Sequence, residues 1–383
     1  MSIAIDADEQ LHWLALQLVP GLGARKASQL VRHFDSPRAI FRASIPELEA
    51  FSIPGSTAQS ILSGCTFEDA ATQHHKMLSA GAILIALNDP LYPKRLKAIF
   101  DPPTLLFARG RIQLLDTVML SIVGTRRPTQ YGSVATERIA RELAQAGLTI
   151  VSGMARGIDT AAHKAALDIK GNTVAVLGCG VDVVYPAENR KLADQIASEG
   201  LLISEFPMGT PGYPQNFPIR NRVVSGLSAG VLVVEGAKYS GSAITARLAI
   251  EQSRELFAIP GNITSNMSWG PNLLIKQGAK LVQDAEDVLS ELSPEDRRRV
   301  HAARTGASAA PETLQQQQVE RQADSPVARS TLQILMVDRP THIDVILENL
   351  PQYSSSELIA ALFELEMLGL IRQLAGKQFV KVW

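Results

Sequence analysis

The sequence predicts an α/β protein built around a Rossmann-like, doubly wound and mainly parallel sheet. Three observations carry that expectation. Six short β-rich runs recur through the middle of the chain: VMLSIVG (118–124), LTIVSG (148–153), TVAVLG (173–178), LLISEF (201–206), GVLVVEG (230–236) and ELFAIPG (255–261). Most are continuously apolar, the pattern of strands buried on both faces. Helical stretches such as SVATERIARELAQAG (133–147) and GSAITARLAIEQS (241–253) lie between them. Strand, helix and strand in repetition imply parallel pairing with right-handed crossovers.

The elements around that core follow in order. A chain of 383 residues suggests two or three domains. Residues 1–80 read as an N-terminal helical domain, since LHWLALQLV, ARKASQLVRHF and TAQSILSG place apolar residues at helical spacing. Val19, Gly21, Gly23 and Ala27 fit the helix-hairpin-helix pattern hhGxGxxxA. Its glycine turn offers backbone N–H groups to a DNA phosphate, with Arg25 and Lys26 assisting; SIPGSTAQSIL (52–62) is a degraded second copy. A hairpin used only for packing fits equally well. Residues 81–292 form the extended core, with 81–117 docked on its edge. Residues 293–326 are polar and Ala-rich with a four-Gln run, so a disordered or frayed-helical linker is expected. Residues 327–383 regain order. Helical stretches at 328–337, 341–349 and 355–368, then a hairpin in GLIRQLAGKQFVKV, give the winged-helix order. The third helix carries Glu357, Glu364 and Glu366 and no Lys or Arg. A DNA-reading helix is cationic or polar, so this unit is expected to contact protein or to regulate.

Bulk composition narrows the function. The net charge of −1 excludes a protein basic over its whole surface, but a local cationic patch suffices for phosphate binding. Aromatic residues make up 5% of the chain, so those at loop positions stand out. Cys65 and Cys179 are far apart, and the histidines form no ligand cluster; reduced thiols and no bound metal are expected. No apolar run spans a bilayer and the first residues carry early acids, which predicts a cytoplasmic protein without membrane contact. There is no GxGxxG and no P-loop, so no nucleotide cofactor is expected.

In open α/β sheets ligands sit beyond the carboxyl ends of the strands, so the residues after each strand are the candidates. The first run is followed by Gly124, Thr125, Arg126 and Arg127, a tight turn with two guanidinium forks before a helix N-terminus. The second leads into Ser152, Gly153 and Arg156, the third to Arg190 and Lys191. The fourth opens a long Gly/Pro loop ending in NFPIRNR, which brings Phe217, Arg220, Asn221 and Arg222 together. An aromatic ring beside paired arginines suits base stacking with phosphate contact; in the alternative, Phe217 plugs the core and an arginine pairs with Glu205 or Glu235. The fifth is followed by Ser240, Gly241 and Ser242 at another helix start. No Ser-His-Asp set, P-loop or metal motif accompanies them. Asp159 and His163, one turn apart, read as a local pair.

These blocks, VGTRRPTQYG, SGMARGIDTAAH, VLGCGVDVVYP, FPIRNRVVSGLS, YSGSAITARLA, AIPGN and LIKQGAKLV, resemble the DprA/Smf family of DNA-processing proteins in order and spacing over about 170 residues. The upstream DPLYPKRLKAIFDPPTLLFARG is also similar. The resemblance implies a single-stranded DNA-binding protein without enzymatic turnover. Such a protein protects incoming strands and loads RecA recombinase during natural transformation, usually as a homodimer. It implies a DNA groove lined by Arg126 and the Phe217–Arg222 stretch, shaped by Gly124, Ser152, Gly153 and Ser240 to Ser242. It places a dimer contact near Leu273, Leu274, Ile275 and Leu281. One departure stands out: some members carry a lysine where this chain has Pro214. Two other readings fit the same residues. One is a nucleotide-processing enzyme using Glu205, Glu235 or Glu251; the other is a protein-interaction scaffold built on the terminal domains.

Overall fold

The β-rich runs become strands, and the flanking segments extend the sheet on both edges. The computed structural model describes residues 6–238, 240–305, 325–335, 340–367, 370–374 and 376–381. These fall into two compact units, 1–306 and 307–383.

In the first unit the strands are β1 (Ile83–Ala86), β2 (Leu105–Gly110), β3 (Met119–Val123), β4 (Thr149–Ser152), β5 (Thr173–Val176), β6 (Leu201–Ser204), β7 (Gly230–Val233), β8 (Glu255–Ala258) and β9 (Lys280–Leu281). Their spatial order is β1-β2-β6-β5-β4-β3-β7-β8-β9. The pairs from β6 to β9 are parallel. β1 and β2 add antiparallel at the β6 edge, which is the edge docking expected of residues 81–117. Every residue of β3 to β7 is buried, as continuous apolar runs require. The order reverses between β3 and β7, the switch point at which doubly wound sheets open a crevice.

Six helices precede the sheet: α1 (Ala7–Leu18), α2 (Ala24–Phe34), α3 (Pro37–Ile40), α4 (Ile45–Glu49), α5 (Gly55–Ser63) and α6 (Phe67–Ser79). Their core of Trp13, Leu14, Leu16, Leu30 and Ile61 is continuous with one face of the sheet. The Gln17 side chain donates to the Glu205 carbonyl at 2.7 Å and Gln73 to that of Met208 at 3.3 Å. Both tie the helical domain to the loop after β6. Next come α7 (Lys94–Lys97), α8 (Gln130–Gln145), α9 (Ile158–Asp168), α10 (Arg190–Glu199), α11 (Asn216–Leu227), α12 (Gly241–Glu251), α13 (Trp269–Lys276) and α14 (Glu286–Leu289). α8 and α9 cover one face through Ile139, Leu143, Ala162 and Ala166. α10, α11 and α12 cover the other through Ile196, Val223, Leu227 and Ala249.

One expectation needs correction. The segment read as linker begins with a twelve-residue helix, α15 (Pro294–Thr305). It carries one fully committed apolar side chain, Val300, which is 5% exposed and joins the α8/α9 core. Ion pairs hold the rest: Asp296 receives Arg95 at 2.5 Å, and Arg299 meets Asp116 at 3.0 Å. A helix anchored by charge pairs and a single valine leaves no apolar period in its sequence. Residues 306–324 of the expected linker lie outside the described residues.

The second unit contains α16 (Pro326–Ile334), α17 (Ile343–Asn349) and α18 (Ser355–Met367), with β10 (Thr341–His342), β11 (Ile371–Leu374) and β12 (Gln378–Lys381). The hairpin forms as expected, and β10 joins it to give the order β10-β12-β11. Leu332, Ile346, Leu362, Leu365 and Phe379 make its core.

Candidate nucleic-acid interface

α11 begins directly over the carboxyl ends of β4 and β5, and that placement organises the site. The loop before it is too rich in Gly and Pro to be helical, and the helix starts at Asn216. Phe217 then lies over Gly178, where a Cβ would come within 2.6 Å of its ring. Only a residue without a side chain lets the ring approach the strand end so closely. The Tyr185 ring sits 5.2 Å away at an interplanar angle of 30°. Tyr185 is 45% exposed, whereas Phe217 is partly covered. The exposed Arg126 guanidinium lies 5.6 Å from the Phe217 ring centre, within cation–π range. Two aromatic faces and a cation thus meet at the mouth of the sheet.

Beneath them Arg220 is 4% exposed. Its Nη1 donates to the Gly153 and Val176 carbonyls, and a Cβ at Gly153 would collide with the guanidinium. Asp159 faces it, accepting from the Gly153 and Ala155 N–H groups at 3.1 and 3.3 Å. Burial raises the Asp159 pKa while Arg220 opposes the rise. Burial likewise lowers that of Arg220, countered by Asp159. Arg222, 6% exposed, points to the opposite side of the helix, where it pairs with Glu205 and, at 3.2 Å, with Asp101. Burial pushes the Glu205 carboxyl up to about 7 against the pull of Arg222.

The loop after β3 is held from the other side of the switch point. Thr125 N–H donates to the Glu235 carbonyl at 2.8 Å. The Glu235 carboxylate, 1% exposed, accepts from Thr129 N–H at 2.9 Å and Thr129 Oγ1 at 2.6 Å. Arg126 and Arg127 are left exposed on this braced loop.

The sequence-derived site therefore divides. Arg126, Arg127 and Phe217 stand at the mouth, with Gly124 and Thr125 in the loop that carries the arginines. Arg220 and Arg222 correct the expectation: both are buried and engaged, and they position α11 instead of facing a ligand. Ser152 is likewise interior, its hydroxyl donating to the Ile122 carbonyl at 2.6 Å, while Gly153 seats Arg220. Arg156 is exposed and pairs with Glu188 at 2.5 Å. Arg190 and Lys191 are exposed at the start of α10, and Asn221 is partly buried. Ser240 and Ser242 bond each other at 2.7 Å at the start of α12, with Gly241 exposed between them. Leu273, Leu274 and Ile275 are partly buried on α13, and Leu281 is 38% exposed on the edge strand β9. Asp159 and His163 do not pair; His163 Nδ1 bonds Thr173 Oγ1 at 2.7 Å instead. Residue-by-residue reading missed Tyr185 and Thr129. The scarcity of aromatics was the available signal for Tyr185.

The carboxylates considered for an enzyme are occupied. Glu205 pairs with Arg222, Glu235 holds Thr129, and Glu251 meets Arg247 at 2.8 Å. Among the described residues no group of three or more His, Cys, Asp or Glu side chains is arranged to hold a metal. No described helix is long and apolar enough to cross a membrane.

Fold and site together define a Rossmann-like α/β protein whose ligand mouth joins exposed arginines to paired aromatic rings. Comparison with known proteins shows its family. The profile of DNA recombination-mediator protein A matches residues 83–293, and that of the DprA winged-helix domain matches 307–377. The chain is 40% identical over 295 residues to Protein Smf of Escherichia coli, covering 76% of each chain. It is 46% identical over 213 residues to DNA processing protein DprA of Bacillus subtilis, covering 55% of this chain and 72% of that one. The DprA structure from Streptococcus pneumoniae aligns at a TM-score of 0.66 and 33% identity, covering 76% of this chain and 99% of that one. A DprA structure from Helicobacter pylori, described for its single-stranded DNA binding mode, aligns at 0.51 and 35% identity over 55% of this chain and 97% of that one. The chain belongs to the DprA/Smf family.

Proposed function

We propose that this protein binds single-stranded DNA at the mouth formed by Arg126, Arg127, Phe217 and Tyr185, without chemical turnover. It protects incoming strands in the cytoplasm and loads RecA recombinase on them during natural transformation and recombination, acting as a homodimer through α13 and β9. The observation that carries the DNA reading is the tilted Phe217–Tyr185 pair beside an exposed guanidinium. Aromatic faces stack unpaired bases and cations take the phosphates. The binding mode described for the Helicobacter pylori relative supports the same ligand. The winged-helix unit serves contact with protein, since its third helix lacks cations.

The test is fluorescence anisotropy with labelled single-stranded and duplex oligonucleotides across a salt series. A strong single-strand preference with a steep salt slope is expected; no binding of either form at low salt refutes the proposal. RecA loading is checked separately, by assembly of RecA filaments on strands already covered by a single-strand-binding protein.

A further inference from the structure

We propose that the protein carries a second strand-binding surface, where the N-terminal helices meet the core, that takes the continuation of the same DNA strand. The inference rests on the single-strand reading above.

The surface is built from two elements brought together by the fold. α2 is strongly amphipathic, and its outward face carries Arg25 and Arg32, both exposed. α7 presents Lys94 and Lys97 to solvent. The Arg25 guanidinium lies 4.2 Å from the ring centre of Phe100, and Arg32 Nη2 donates to the Lys97 carbonyl at 3.3 Å. These contacts put the four cations and the ring on one face. None of Arg25, Arg32, Lys94 and Lys97 has an ion pair among the described residues. Two of the nearby acids are engaged elsewhere, Asp101 with Arg222 at 3.2 Å and Asp296 with Arg95 at 2.5 Å, while Asp35 is exposed at the C-terminal end of α2.

Phe100 supplies the argument for a single strand. It is 74% exposed, and a lone exposed apolar side chain needs no explanation. A phenyl ring set among uncompensated cations is different, because it offers a stacking face where phosphates are drawn in. A duplex shows no open base face to such a ring, whereas an unpaired strand does.

The surface also lies in line with the first site. α7 packs on the far half of α11: a Cβ at Gly226 would meet Leu96 at 2.9 Å and Ile99 at 3.1 Å. Asp101, the residue after Phe100, pairs at 3.2 Å with Arg222 on the same helix, and five residues at a rise of 1.5 Å each separate Arg222 from Phe217, about 8 Å along the axis. Pro218 and Ile219 are exposed on the first turns of α11, which leaves that side of the helix open to a strand passing from the Phe217–Tyr185 rings toward Phe100 and its cations.

The test uses the full-length protein and two oligodeoxythymidines, one short enough for a single site of the ~4–16-nucleotide scale and one several times longer. Arg25→Ala/Lys94→Ala/Lys97→Ala is expected to keep short-strand affinity and to lower the long-strand salt slope by about 2, at ~0.7 per single-strand phosphate contact. Phe100→Ala, which removes no charge and a side chain that is largely exposed, is expected to weaken long-strand binding about 5- to 160-fold with the slope unchanged. Thermal melting checks that both variants stay folded. Long-strand affinity and slope equal to wild type in both variants overturn the second surface while the first site stands. An equal loss on duplex also overturns it, as does an equal loss on the short strand. If the wild-type protein binds neither oligonucleotide, the single-strand reading itself falls.

Discussion

Replacing Arg222 with alanine separates a structural arginine from a DNA-contacting one. The side chain is 8% exposed and bridges two carboxylates, Glu205 at 11% exposure and Asp101 at 39%. Removing it strands the Glu205 carboxyl in the interior, with no cation to offset its burial. Breaking a buried pair by deleting one partner typically costs about 3–5 kcal/mol. Part of that cost is relieved because Glu205, already raised to about 7, can take up a proton instead of remaining charged. At roughly 2–4 °C per kcal/mol for a domain of this size, the expected fall in Tm is about 6–20 °C. The assay pairs thermal unfolding of Arg222→Ala with its single-strand anisotropy salt series, measured well below the melting point. The reasoning requires a large loss of Tm and an unchanged salt slope, since no phosphate contact is removed. A variant that melts like wild type but loses about 0.7 of slope would refute it, and would return Arg222 to the phosphate-binding role that its sequence position suggested.

Arg126→Ala should behave in the opposite way: the residue is exposed, so Tm should hold while affinity falls and the slope drops by about 0.7 for one phosphate contact. Phe217→Ala should weaken single-strand binding by about 1–3 kcal/mol per base stacked with no change in slope, and Tyr185→Ala should act in the same direction; unchanged affinity in both would remove the rings from the site. Stability should also depend on pH through His163, whose buried ring has a pKa lowered from 6.5 to about 3. The unfolded chain binds a proton that the folded ring refuses, so this contribution is complete above pH 6.5 and is lost as pH falls toward 3, at up to about 1.4 kcal/mol per unit. His163→Asn should flatten that limb of a Tm–pH profile. Glu205 acts with the other sign, because its folded pKa is raised: its contribution is present below pH 4.5 and lost as pH rises through about 7.

Much of the fold was legible because strand burial writes itself into composition. A strand covered on both faces must be largely apolar, and β3 to β7 are, with the hydroxyls of Ser121, Ser152, Thr173 and Ser204 bonded to backbone carbonyls. The order of motifs after those strands also placed the ligand mouth, since the carboxyl edge of a doubly wound sheet is fixed by topology. Burial on the helices was not legible in the same way. FPIRNRVV reads as a cationic stretch, yet the turn of α11 sends Arg220 down onto the strand ends and Arg222 sideways to Glu205. A buried arginine needs acceptors, and those that Arg220 and Arg222 find are the Gly153 and Val176 carbonyls and two carboxylates distant in sequence. No local pattern announces them. α15 was hidden for a related reason: its partners Arg95 and Asp116 come from elsewhere in the chain, so its own sequence looks like a solvated linker.

Arg220 shows what a buried cation contributes to the proposed DNA-binding mouth. It joins the ends of β4 and β5 through two carbonyls, faces Asp159, and its guanidinium lies 6.0 Å from the Phe217 ring centre. The ring is therefore fixed from below by a group that cannot move without leaving buried polar atoms unpaired, at about 1–3 kcal/mol each. From above, Arg126 approaches the same ring from the loop braced by Glu235. A ring held in this way does not have to be ordered when a base arrives, and ordering a rotamer-rich side chain costs about 0.5–1.5 kcal/mol. The net charge of −1 is then no obstacle to binding a polyanion. On the proposed reading, affinity at the mouth comes from a few exposed guanidiniums and from aromatic faces that are already in place, and the buried Arg220 keeps the Phe217 face there.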